Sequence, residues 1–106
     1  MTQTYTLVVG PHRFAVVSNP ATTKRLIRDS RYGETDIDSL TISIRGDLPA
    51  TLWDDTLYHE LLHASIGITG LNHRLPDQLE EDLVATIAPL LTQAIRHDTI
   101  SRKAVE

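Results

Sequence analysis

Apolar and polar residues follow two different periods along this chain, and each change of period marks an element. Thr4 to Val9 and Arg13 to Val17 are rich in β-branched and aromatic residues and are separated by Gly10-Pro11-His12, which predicts a β-hairpin. Asn19 followed by Pro20 predicts a helix start, with Asn as the cap and Pro at the first helical position, running to about Ser30. From Ser39 to Arg45 the period is two: Leu40, Ile42 and Ile44 share one face and Ser39, Thr41 and Ser43 the other, as in a half-buried strand. Gly46-Asp47-Leu48-Pro49 breaks it. Helical periodicity then returns over Thr51 to about Ile66 through Trp53, Leu57, Leu61 and Ala64, with Asp54 and Asp55 expected in the first turn and Gly67 and Gly70 at the end. A last helix opens at Pro76-Asp77 and runs to about Arg96. Its stripe of Leu79, Leu83, Ile87, Leu90, Leu91 and Ala94 is expected to pack on the core along its length, with Pro89 as the place for a kink. The tail, from about residue 99, is polar and expected to fray.

Composition narrows what these elements can do. A chain of 106 residues supports one modest core, so the expectation is a single domain over residues 1–106. There is no cysteine, which excludes disulfide frameworks, thiolate zinc fingers, iron–sulfur clusters and cysteine nucleophiles. Any bound metal must be held by His and carboxylates. A net charge of -4 argues against nucleic acid as a partner. The basic cluster of Lys24, Arg25 and Arg28 reads as a solvated helix face, and with Arg31 it is the one short basic surface a nucleic-acid reading could use. No stretch is long and apolar enough for a membrane span, and the start has neither a basic region nor a secretory apolar run, so a cytoplasmic protein is expected.

One motif carries chemistry. His59-Glu60-Leu61-Leu62-His63 is an H-E-x-x-H pattern in the middle of a predicted amphipathic helix. Chance would place such a pattern in roughly one chain in a hundred of this composition. Histidines four apart stand about one turn apart on the same face, so both imidazoles can converge on one ion. Glu60 points about 100° around the helix, near the metal without having to bind it, where it can take a proton from metal-bound water. A catalytic zinc commonly has three protein ligands and one water. Candidates for the third are Glu80, Glu81, Asp82 and His73. Asp82 projects away from the apolar stripe and Glu80 lies over it, although Asp77-x-x-Glu80 also has capping-box spacing. The metzincin spacing that would recruit a third histidine is not met, since Ile66 and Thr69 stand where Gly and His are required. His12 and His97 have no partner pattern.

The stretch from Asp55 to Ala64 resembles the active-site helix of the zincin metallopeptidases, and more narrowly that of the compact ImmA/IrrE-type metallo-endopeptidases and related small bacteriophage proteins. The resemblance takes in Tyr32-Gly33, the strand around Leu40 to Ile44 and the segment from Glu81 to Ala88, so it spans roughly residues 32 to 92; only the H-E-x-x-H element is specific. It implies an α+β, minimal zincin-like domain: a small three-stranded sheet packed on the active-site helix and a C-terminal helix, with an edge strand able to hold extended substrate. It also implies Glu81 as the third ligand, because Glu81 matches the family's ligand position and Val84, Ile87-Ala88 and Leu91 fall where that family's apolar residues follow. Glu80 and His73 remain alternatives.

The expected function is therefore zinc-dependent peptide-bond hydrolysis, with Zn2+ on His59, His63 and Glu81 and Glu60 as general base. The implied partner is a protein or peptide substrate, which the resemblance extends to a transcriptional repressor or other regulator. Tyr32, Tyr58, His73 and Arg74 are the donors chemically able to stabilise the oxyanion. The rival expectation is a non-catalytic binding or regulatory module that zinc merely stabilises.

Overall fold

The computed structural model describes the backbone of residues 3–105 and the side chains of residues 4–95. His97 and the side chains of the expected frayed tail lie outside the described residues. The architecture is α+β, with strands β1 (Gln3–Val9), β2 (His12–Ser18), β3 (Gly33–Asp36) and β4 (Thr41–Ile44) and helices α1 (Pro20–Arg28), α2 (Ala50–Thr69) and α3 (Asp77–Val105). A short 3-10 turn, Leu71–His73, joins the last two.

The sheet has four strands in the order β1-β2-β4-β3, not three. The hairpin is antiparallel, with Val9 opposite His12. β2 runs parallel to β4, and β3 is antiparallel to β4 at the far edge. The additional strand is β3. Its sequence Gly33-Glu34-Thr35-Asp36 carries no apolar residue and hence no alternation to read; its extended form comes from pairing with β4. The strand expected from Ser39 also begins later, at Thr41. Leu40 sits in the turn before it with φ 51°, a conformation disfavoured for a branched side chain, and the turn is closed by Asp36 Oδ1 accepting from the Asp38 and Ser39 amides. Leu40 still packs on the core, and its carbonyl accepts from the Ala15 amide at 2.9 Å, extending the parallel ladder.

α1 starts as its sequence dictates, with Asn19 Oδ1 accepting from the Thr22 amide at 2.8 Å and Pro20 in the first turn. α2 begins at Ala50, which moves Asp54 and Asp55 into its second turn, and it passes through Gly67 to stop at Gly70. Gly67 lies inside the helix for a packing reason: a Cβ there would come within 2.6 Å of Ile37 Cδ1 in the β3–β4 turn. Phe14, Val16, Ile42 and Ile44 from the sheet and Ala64 from α2 form the buried core, flanked by Trp53, Leu57 and Leu61. Burying one such large side chain contributes roughly 1.5–3 kcal/mol.

α3 corrects the sequence reading most. It extends to Val105, beyond Arg96, and among the described residues its buried positions are Val84, Ala88 and Thr92. The expected core stripe faces outward, with Leu79, Leu83, Ile87, Leu90 and Leu91 all exposed. No helix among the described residues is long and apolar enough to cross a membrane.

Candidate metal centre

α2 presents side chains in three directions, and this division builds the site. Thr56, Glu60 and Ala64, four apart, are buried beneath the sheet. Trp53, Leu57 and Leu61 pack against the core on one flank. His59 and His63 occupy the other flank, where α3 lies alongside. Their rings are 5.0 Å apart between centroids with planes at 61°.

α3 answers them with two consecutive carboxylates in different roles. Glu81 places Oε1 at 3.3 Å from His59 Nε2 and Oε2 at 3.3 Å from His63 Nε2. Ligand atoms of His59, His63 and Glu81 all lie within 4.8 Å of one another, so the group could hold a metal ion. The chemistry of the donors fits that use. Both 3.3 Å separations exceed the 2.7–2.9 Å of a charge-assisted hydrogen bond. They are close to the ~3.4 Å separating two ligands that each stand about 2.1 Å from one tetrahedral ion. Glu81 is 57% exposed at its side chain, which leaves the group open to solvent on one side.

Glu80 goes elsewhere. Its Oε2 lies 2.7 Å from His63 Nδ1. A carboxylate accepts, so this contact forms when Nδ1 carries the hydrogen, and in that tautomer the Nε2 lone pair faces Glu81. The capping-box alternative thus gives way to a contact with a histidine one helix away, and Glu80 meets the far side of the His63 ring rather than joining the group. His73 is exposed on the 3-10 turn and is not part of the group.

Glu60 is held from the sheet side. It is 7% exposed, and its Oε1 accepts from Thr35 Oγ1 at 2.7 Å; the same hydroxyl lies 3.1 Å from the Glu60 carbonyl oxygen. β3 comes this close because Gly33 lacks a side chain. A Cβ there would stand 2.7 Å from Thr56 Cγ2 and 3.1 Å from Glu60 Cγ. A cavity of about 740 Å³ opens over these groups, walled by β3, α2 and α3 and reaching Asp55 and Pro89.

Of the possible oxyanion donors, Tyr32 lies on the cavity wall, whereas Tyr58, His73 and Arg74 do not. Tyr32 is braced from outside: the Arg45 guanidinium sits 5.5 Å from its ring centroid, and Arg45 Nη2 donates to Asp47 Oδ2 at 2.7 Å. Those hydrogen bonds hold the Asp47 carboxyl below its ordinary range and raise Arg45 above its own. The three arginines of this region are turned onto the chain's own carboxylates, with Arg25 at 2.7 Å and Arg31 at 4.0 Å from Glu34, and Arg28 at 3.4 Å from Asp29. Exposed pairs of this kind contribute about 0.2–1 kcal/mol each.

Sequence reasoning missed Thr35 and the role of Glu80. Thr35 stands 25 residues from Glu60 in a polar stretch that gives no signal. Glu80 had one, Asp77-x-x-Glu80, but it pointed to the wrong partner. Compared with known protein families, curated proteins and solved structures, the chain matches none.

Proposed function

We propose that this protein is a zinc-dependent peptide hydrolase of zincin-like arrangement, with His59, His63 and Glu81 holding the ion and Glu60 as general base. The observation that carries this reading is the convergence of two imidazole Nε2 atoms on one carboxylate at 3.3 Å, beside a buried glutamate in the same cavity. A zinc ion bound there would supply an activated water at neutral pH and polarise a substrate carbonyl.

The chain's own residues provide the rest. Thr35 occupies one oxygen of Glu60, so the other is the one free to take a proton and return it to the departing amine. Glu80 holds the His63 ring in the orientation and tautomer that a ligand needs. Among the described residues β3 pairs only with β4, leaving its other edge beside the cavity, where an extended peptide can add as a further strand. Tyr32, which lines the same cavity, is the oxyanion donor in this proposal. A protein or peptide is accordingly the substrate class, a regulatory protein among them. The cavity favours hydrolysis over a purely structural zinc: among the described residues no fourth protein ligand joins His59, His63 and Glu81.

The test is metal analysis with peptide hydrolysis on the same samples. The protein should bind one zinc, His63→Ala should lose it, and Glu60→Gln should keep the zinc while losing at least about 100-fold in hydrolysis. Full activity in Glu60→Gln would remove the general-base assignment, and a protein with no affinity for zinc would remove the whole reading.

A further inference from the structure

Asp55 continues the row of the two histidines. Asp55, His59 and His63 stand four apart on α2, so Asp55 lies on the metal-binding flank one turn, ~5.4 Å, before His59, and it lines the same cavity. Nothing within the chain explains its charge. It is half-buried in the second turn of α2, past the reach of the helix dipole, and no lysine or arginine stands three or four residues away. The other carboxylates on the cavity wall all have partners: Glu34 meets Arg25 at 2.7 Å, Glu60 accepts from Thr35, Glu80 meets His63, and Glu81 faces both histidines. The one arginine on that wall, Arg31, is turned to Glu34. Among the described residues the Asp55 carboxylate has neither a hydrogen bond nor an ion pair.

The open edge of β3 says what would meet it. The Arg45 amide donates to the Tyr32 carbonyl at 3.0 Å, so the next hydrogen-bonded pair along the ladder is Glu34 with Ser43, and Gly33 and Thr35 fall in the alternate pairs. The amides and carbonyls of Gly33 and Thr35 therefore turn to the free edge, where a peptide strand can use them. Both residues face α2: a Cβ on Gly33 would meet Thr56, and the Thr35 hydroxyl meets Glu60. A peptide residue opposite Gly33 would turn its side chain to the same face, beside Thr56 and its neighbour Asp55. We infer that Asp55 selects substrates by binding the ammonium or guanidinium group of that residue, a lysine or an arginine. This rests on the peptide-hydrolase reading of the site. Five carboxylates against one arginine leave the wall negative even with a doubly charged ion in place, which favours a cationic side chain there.

The test uses N-acetylated, C-amidated, otherwise uncharged peptides carrying one lysine or, at the same position, norleucine. Zinc-loaded protein should cleave the lysine peptide with kcat/KM at least about tenfold higher, and moving the lysine by one residue should move the cleaved bond by one residue. Asp55→Asn should bring the ratio close to one, and Asp55→Lys should transfer the preference to glutamate at that position. Asp54→Asn, which removes the same charge outside the cavity wall, should keep the lysine preference. Each preference is a ratio within one protein, so differences in zinc content or folded fraction cancel. Binding of the same peptides to zinc-loaded Glu60→Gln protein, followed by fluorescence anisotropy, should show the same dependence on lysine and on Asp55. Equal cleavage and equal binding of the lysine and norleucine peptides overturn the inference, as does a lysine preference that survives Asp55→Asn. Lysine-dependent binding through Asp55 without cleavage by the parent protein would uphold the role of Asp55 and remove the hydrolase reading; cleavage indifferent to lysine would do the reverse.

Discussion

α2 and α3 lie side by side and both have an apolar periodicity, yet the periodicity marks the buried flank of one and the exposed flank of the other. On α2, Trp53, Leu57, Leu61 and Ala64 point to the sheet, as a helix on a hydrophobic layer should. On α3, Leu79, Leu83 and Ile87 point away, and the helix docks instead through Val84, Ala88 and Thr92, with Glu80 and Glu81 facing the histidines. The difference follows from what each helix meets. α2 meets the sheet, where volume and hydrophobicity decide the face. α3 meets the histidine flank of α2, where two carboxylates find partners and small residues allow close approach. Polar chemistry chose the inner face of α3, and its apolar side chains took what remained.

Neighbouring substitutions on α3 test this contrast most severely. Ala88→Glu, which forces a carboxylate into a buried position, should lower the unfolding free energy by at least about 3 kcal/mol. Ile87→Glu, one residue earlier at a position 40% exposed, should cost far less, within about 1 kcal/mol in urea unfolding. Equal costs at the two positions would mean that α3 is rotated from the orientation described. On the α2 side, Gly33→Ala must move Thr56 or Glu60 and should cost about 1–3 kcal/mol, read as a lower Tm together with reduced hydrolysis. Glu80→Ala should leave the fold intact while weakening zinc binding by about 10- to 100-fold in chelator competition, with Glu80→Gln in between because its amide oxygen can still accept from Nδ1. Unchanged zinc affinity in Glu80→Ala would reduce Glu80 to a packing contact.

The sequence was most legible where local rules and tertiary context agreed. The hairpin, the Asn19-Pro20 start of α1 and the helix bearing His59 and His63 all stand where local pattern places them. β3 was invisible because its residues are polar and its conformation comes from a partner strand. Leu40 continued an alternating pattern that the backbone abandons at a turn, since period alone does not register a positive φ. At the site, the two histidines and Glu60 needed only helix geometry to be grouped. Thr35 and the division of labour between Glu80 and Glu81 depend on the approach of other elements, which no spacing encodes.

Gly33 and Gly67 bring this point down to single atoms. Each lies where β3 or the turn after it meets α2, and at each a methyl group would collide within 2.7 Å or less. A glycine inside a helix costs about 0.5–1 kcal/mol relative to alanine, and α2 carries one at Gly67. The distance from the sheet edge to α2 is therefore set by two missing side chains. These are the positions where a single added methyl group changes the height of the cavity between β3 and α2 while His59, His63 and Glu81, which stand on other positions, keep their side chains.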